Sequence, residues 1–164
     1  MNSIVRKHPF GTAAIIALIG GLALVTLLYV TIPSTRQHRL IWFPDTAGAG
    51  FHAEWRTVPY RDERAAEISL YVEEMILGPV ELGAIRIVPR GTEVKSVILS
   101  DDQTLFLDFN RGILMDDSDA TASLEDRLSI LTRNIEHNFR FVHTIVVTIE
   151  GQLPNEPRFA RVGR

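Results

Sequence analysis

The chain has 164 residues, enough for one ordinary domain and an anchor, with 17 basic against 20 acidic residues and a net charge of −3. Every acidic residue lies at or beyond Asp45, and from there on 13 basic residues face 20 acidic ones, about −7, a balance that repels phosphate backbones and argues against a nucleic-acid partner. The absence of cysteine removes disulfides, thiolate metal sites, cysteine nucleophiles and a lipid-bearing cysteine.

A short tail over residues 1–9 carries Arg6 and Lys7. Residues 10–32 then run without a charge, FGTAAIIALIGGLALVTLLYVTI. As a helix this run reaches about 35 Å, enough to cross a hydrocarbon core of roughly 30 Å. It exceeds the apolar region of a cleaved signal peptide, and Thr31-Ile32-Pro33-Ser34 offers no small-residue cleavage site. A single uncleaved transmembrane helix is therefore expected, with membrane lipid as its partner. Arg6 and Lys7 on one side and Arg36 and Arg39 on the other nearly balance, so the positive-inside rule discriminates little. A short inner tail with an extracytoplasmic domain is the expected arrangement in the cytoplasmic membrane. Ala13, Ala17 and Gly21 form a small-residue stripe that permits close helix contact.

Residues 33–38 read as a polar linker, and 39–151 as the folded domain. Leu40-Ile41-Trp42-Phe43 is a short strand ended by Pro44-Asp45, and 47–50 is a loop. Glu54 to Tyr60 reads as a second strand, with Pro59 at an edge or end. Asp62 is positioned to cap a helix over Glu63 to Leu77, whose Ile68, Val72, Met75 and Ile76 share one face. Gly78-Pro79 stops it. Val94 to Ser100 and Thr104 to Phe109 alternate as a hairpin. After the acidic loop at 116–122, Ser123 and Asp126 form a capping box that opens a second helix to Phe139, with Leu124, Leu128, Leu131, Ile135 and Phe139 on one stripe. His143 to Ile149 is the last strand, and 152–164 a flexible tail. Each helix has one apolar stripe, so the simplest arrangement is an α+β, two-layer sandwich: a mixed sheet with two helices on one face, preceded by the transmembrane helix.

No catalytic, cofactor-binding or metal site emerges. The five histidines (His8, His38, His52, His137 and His143) make no H-E-x-x-H or H-x-x-E-H spacing. Asp116, Asp117 and Asp119 lack the glycine and closing glutamate of a calcium loop. Asp45 and Asp108 read as turn formers rather than a hydrolytic pair. Trp42, Phe43, Trp55 and Tyr60 gather on the first two strands; core packing is the default reading, and an edge strand beside them would offer a surface for a partner or another copy.

Phe43-Pro44-Asp45, Ala66, Met75-Ile76-Leu77-Gly78-Pro79, Ile87-Val88-Pro89-x-Gly91-Thr92-x-Val94-x-Ser96-Val97, Leu107-Asp108-Phe109 and Glu150-Gly151 together resemble the GerMN domain of bacterial sporulation and spore-germination proteins. The resemblance spans about residues 39–151, and the Gly-Pro stop followed by Pro-x-Gly-Thr-x-Val is its most specific part. It implies a fold similar to the ring-building motifs of secretion and sporulation complexes. It also implies action outside the cytoplasmic membrane as an assembly factor without catalysis. The chain departs from the familiar members in using an apolar helix rather than a lipid, and in carrying one copy of the domain. A non-catalytic envelope scaffold is the function expected first, with envelope proteins or itself as partner and no small-molecule substrate. A cell-wall-associated ligand-binding module, or a hydrolase accessory acting on peptidoglycan, is the alternative.

Overall fold

The computed structural model describes residues 9–31, 36–48, 50–121 and 123–154, and the chain divides into two compact units at Thr35 and Arg36. Parts of both expected tails, residues 1–8 and 155–164, lie outside the described residues, as does 32–35 of the junction.

The first unit contains α1 (Pro9–Thr31), 23 residues with no acidic residue in its first turn and no basic one in its last. Its side chains are described over residues 13–29, a shorter stretch, and among the described residues no helix is long and apolar enough to cross a membrane. The span expected over 10–32 is thus not confirmed by the fold.

The second unit starts with two nine-residue strands, β1 (Arg36–Pro44) and β2 (Phe51–Pro59), paired antiparallel from Arg36↔Pro59 to Pro44↔Phe51. β1 begins inside the stretch read as linker. Next come α2 (Arg64–Leu77), β3 (Val94–Leu99), β4 (Thr104–Phe109), a 3-10 turn at Arg111–Leu114, α3 (Leu124–Asn138) and β5 (Thr144–Ile149). β4 is the centre of a three-stranded sheet, antiparallel to β3 and parallel to β5. A parallel neighbour needs a crossover, and the 3-10 turn with α3 supplies it.

Among the described residues the strands form two sheets, and the single mixed sheet expected from the sequence is corrected. The reason lies on α3. Asn134 accepts from the Trp42 N–H at 2.8 Å and donates to the Trp42 carbonyl at 3.0 Å. Asn138 repeats the pattern on Leu40, at 3.3 and 2.8 Å. Four residues of helix advance about 6 Å and two residues of strand about 6.7 Å, so two carboxamides one turn apart meet alternate residues of an edge. Further along, Ile85 N–H donates to the Pro44 carbonyl at 2.8 Å and Thr46 N–H to the Gly83 carbonyl at 2.9 Å. Pro44 has no N–H to leave unpaired on that side. The edge β1 would present to β3–β5 is thus already occupied by side chains and loop.

Correspondingly, α3 packs against β1, and α2 packs against β3 and β2, instead of both covering one sheet. One core joins them. Ile41 and Phe43 from β1, Ile68, Tyr71, Val72 and Met75 from α2, Leu105, Leu107 and Phe109 from β4, and Leu131, Ile135 and Phe139 from α3 are all buried. The periodicities of two in β4 and of three and four in the helices place these side chains inward. Tyr71 donates its hydroxyl to the Leu40 carbonyl at 2.8 Å and receives Asn138 Nδ2 at 2.7 Å, tying α2 to the same edge. Its burial pushes the phenol well above its ordinary value, against the pull of Arg39 and the Asn138 bond.

Capping follows the sequence at one helix and departs at the other. Ser123 Oγ accepts from Asp126 N–H at 3.0 Å, forming the expected cap, and donates to the Asp126 carboxylate at 2.6 Å through its hydroxyl. At α2 the N-cap is Glu63, without a side-chain bond, so Asp62 does not take the role its position suggests. Gly78 ends α2 at φ 85°, and a Cβ there would lie 2.7 Å from Arg86 Nη1. Only glycine suits both the conformation and the space.

Candidate interaction surface

Strand alternation divides the aromatics that the sequence places together. In β1, Phe43 points into the core while its neighbour Trp42 is 36% exposed; in β2, Phe51 and Trp55 are 50% and 70% exposed. Of the four aromatics singled out in the sequence, only Phe43 is core; Trp42, Trp55 and Tyr60 are on the surface. Leu40 faces Trp55 and Trp42 faces Ala53 across the ladder, so these side chains share the outer face of the hairpin.

The face extends onto α3. Trp42 and Phe51, with Ile130, Arg133, Asn134 and His137, line an open groove of about 470 Å³. Trp42 and His137 meet edge to face with ring centroids 6.2 Å apart. Asn134 also lines it, but its carboxamide is committed to β1. The groove is consequently apolar at its base with Arg133 and His137 at its rim, the chemistry of a docking surface. Ile130 and Arg133 were not singled out from the sequence, and His137 was weighed only as a metal ligand; their i, i+3, i+7 spacing marks a second helical face beside the core stripe.

The opposite side of β2 is ionic. The Glu54 carboxylate, buried, accepts from Val80 and Glu81 N–H at 3.0 and 2.9 Å and from Arg56 at 2.8 Å. Arg56 also donates to the Gly78 carbonyl at 2.7 Å. These bonds moor the turn after α2 beneath the strand. Elsewhere, buried Arg127 gives its guanidinium to the carbonyls of Thr121, Ile113 and Met115, at 2.5, 2.8 and 3.1 Å. The buried polar side chains serve backbone groups, which is a structural use.

Of the residues weighed for chemistry, the fold brings Asp45 and His52 together but keeps Asp45 and Asp108 in separate hydrogen-bonded settings. Asp45 accepts from Ala47 N–H at 3.0 Å, and this bond, with lesser help from Thr46 and His52, holds its carboxyl below the ordinary value. Asp108 accepts from Thr148 Oγ1 at 2.7 Å and Gly151 N–H at 2.8 Å, so the two aspartates shape different turns. In the acidic loop, Asp117 receives Arg90 and Asp119 N–H at 2.9 and 3.0 Å, which lowers its carboxyl, while Asp119 pairs with Arg90. His38 lies 3.1 Å from Thr57 Oγ1, and His52 lies 3.7 Å from Asp45. Among the described residues no group of three or more His, Cys, Asp or Glu is placed to hold a metal ion.

Comparison with known proteins fits this architecture. The family model for sporulation and spore germination, Germane, matches residues 40–154, most of the chain. The chain belongs to that family. Its fold is similar to the tandem GerMN domains of the sporulation protein GerM from Bacillus subtilis, with 20% identity and a TM-score of 0.52 over 74% of this chain and 42% of that one. It is also similar to the first GerMN domain of the same protein, with 19% identity and a TM-score of 0.50 over 73% of this chain and 87% of that one. The chain thus spans less than half the length of the tandem structure. Among curated proteins no match was found.

Proposed function

We propose that the chain is a membrane-anchored, non-catalytic interaction module of the bacterial cell envelope. In this reading α1 holds the domain to the cytoplasmic membrane on its outer side, and the outer face of the β1–β2 hairpin docks envelope protein partners. The observation that carries the reading is the exposed aromatic face of Trp42, Phe51 and Trp55 continuing into the groove on α3. Aromatic side chains are the usual anchors of protein interfaces, and a monomer with no partner rarely leaves three together. Support for the anchor comes from the uncharged residues 10–32 and from the exposure of the apolar side chains described in α1. Membership of a family named for sporulation and spore germination is in keeping with a role in the cell envelope.

The test has two parts. Alkaline carbonate extraction of cells expressing the chain should leave it in the membrane, and external protease should digest the domain only once the outer layers are opened. Trp42→Ser with Trp55→Ser should then lose the envelope proteins that co-purify with the native chain, while keeping its thermal transition. Release by carbonate would end the anchor reading; unchanged co-purification would end the role of the face.

One observation favours a second reading. The groove sets Trp42 and Phe51 beside Arg133 and His137, an aromatic floor with a polar rim that suits a cell-wall saccharide or the service of a peptidoglycan hydrolase. It predicts sedimentation with purified sacculi that Trp42→Ser abolishes.

A further inference from the structure

The bonds of Asn134 and Asn138 decide which way β1 and β2 point their backbone groups. Leu40 and Trp42 direct N–H and C=O to α3, so their partners Trp55 and Ala53 direct theirs away from β1. By the same alternation Thr57 faces outward too. The outer edge of β2 therefore presents Ala53, Trp55 and Thr57, and among the described residues no group bonds to their backbone there. Pro59 ends the edge because it has no N–H to offer.

Apolar groups flank this edge, although the strand's own inner face carries the Glu54–Arg56 pair. Trp55 and Phe51 stand on one face of the strand. On the other, the turn moored by Glu54 and Arg56 exposes Leu77, Val80 and Leu82, the last two at 76% and 100%. An unpaired strand flanked in this way is a template for another strand.

We propose that β2 pairs antiparallel with β2 of a second copy of the chain, about a two-fold axis at Trp55. The proposal rests on the reading of the domain as an interaction module and names its partner. In that register Ala53 meets the other copy's Thr57, Trp55 meets Trp55, and the three pairs form about six main-chain hydrogen bonds. Glu54 then lies opposite Arg56 in the close, non-hydrogen-bonded pairs. Sliding the strands by two residues one way opposes Glu54 to Glu54, and the other way Arg56 to Arg56, each with like charges directly across. The charge order of β2 thus selects one register, and a self-complementary patch closes as a dimer.

The chain has no cysteine, so single cysteines report the register directly. Full-length Ala53→Cys and Thr57→Cys chains, distinguished by tag mass, are reconstituted together in phosphatidylglycerol–phosphatidylethanolamine vesicles and oxidised mildly. The register brings position 53 of one copy within disulfide reach of 57 of the other, while 53 and 53 stand roughly 13 Å apart. The expected result is at least tenfold more mixed disulfide than either homodimer, lost on adding Trp55→Lys to both chains. Equal homodimers, or no mixed product, would overturn the pairing. Carbonate extraction of the same vesicles separates the two ideas: a chain that stays in the membrane without crosslinking refutes the pairing alone, and a chain that washes out refutes the anchor.

Discussion

Replacing Asn134 tests the account of why this domain has two sheets. Its carboxamide satisfies both backbone groups of Trp42 at an edge that no strand covers. Asn134→Leu keeps most of the side-chain volume and leaves one donor and one acceptor unpaired beside the core. Each such group costs about 1–3 kcal/mol when buried. The Trp42 groups are partly buried, which favours the lower half of the range, so the loss should be about 2–4 kcal/mol. For a domain of this size that lowers Tm by roughly 8–16 °C. Asn138, half-buried, should cost about 1 kcal/mol when changed to Ala. The two should also couple, because the Tyr71 hydroxyl donates to Asn134 Oδ1 at 3.4 Å and receives Asn138 Nδ2 at 2.7 Å. The assay is intrinsic fluorescence during urea and thermal unfolding: both tryptophans of the chain, Trp42 and Trp55, lie in the hairpin. If Asn134→Leu unfolds within about 0.5 kcal/mol of the native chain, packing alone explains the site and the edge-capping argument is refuted.

Three more perturbations follow from the same geometry. Gly112→Ala should destabilise by about 3 kcal/mol or more, because its Cβ would sit 2.2 Å from the Gly91 carbonyl oxygen and backbone must move; thermal unfolding checks it. Arg127→Leu should cost about 3 kcal/mol by stranding the carbonyls of Thr121, Ile113 and Met115, again read from urea midpoints. Tyr71 has its phenol raised on folding, so the stabilisation is complete below the unfolded value near 10 and is lost as pH rises above it. Stability of the native chain should fall steeply above about pH 10, and Tyr71→Phe, though weaker at neutral pH, should flatten that fall.

Element types were legible because alternation and helical stripes are dictated by one buried face: β4 and α3 emerge from Leu105, Leu107 and Phe109 and from Leu131, Ile135 and Phe139. The sheet arrangement was not. Asn134 and Asn138 look like solvated helix residues, and nothing in their identity says that a strand edge will lie against them. The 3-10 turn was equally hidden, since it depends on Asn110 receiving Gly112 N–H at 3.0 Å. For the surface, the parity of Trp42 and Phe43 already implied that one faces out, yet which one depends on the side that α2 and α3 cover. The groove needed the fold itself, because it joins residues 42 and 51 to residues 130–137.

Site-specific photocrosslinking in intact cells tests the central claim most directly, with a photoreactive residue at position 55 on the hairpin face or at position 106 on the outer face of the other sheet. Position 55 should give defined adducts in carbonate-washed membranes, and position 106 few or none. Equal labelling from both positions, or adducts only in the soluble fraction, would contradict the assignment of the hairpin as the docking face of an anchored module.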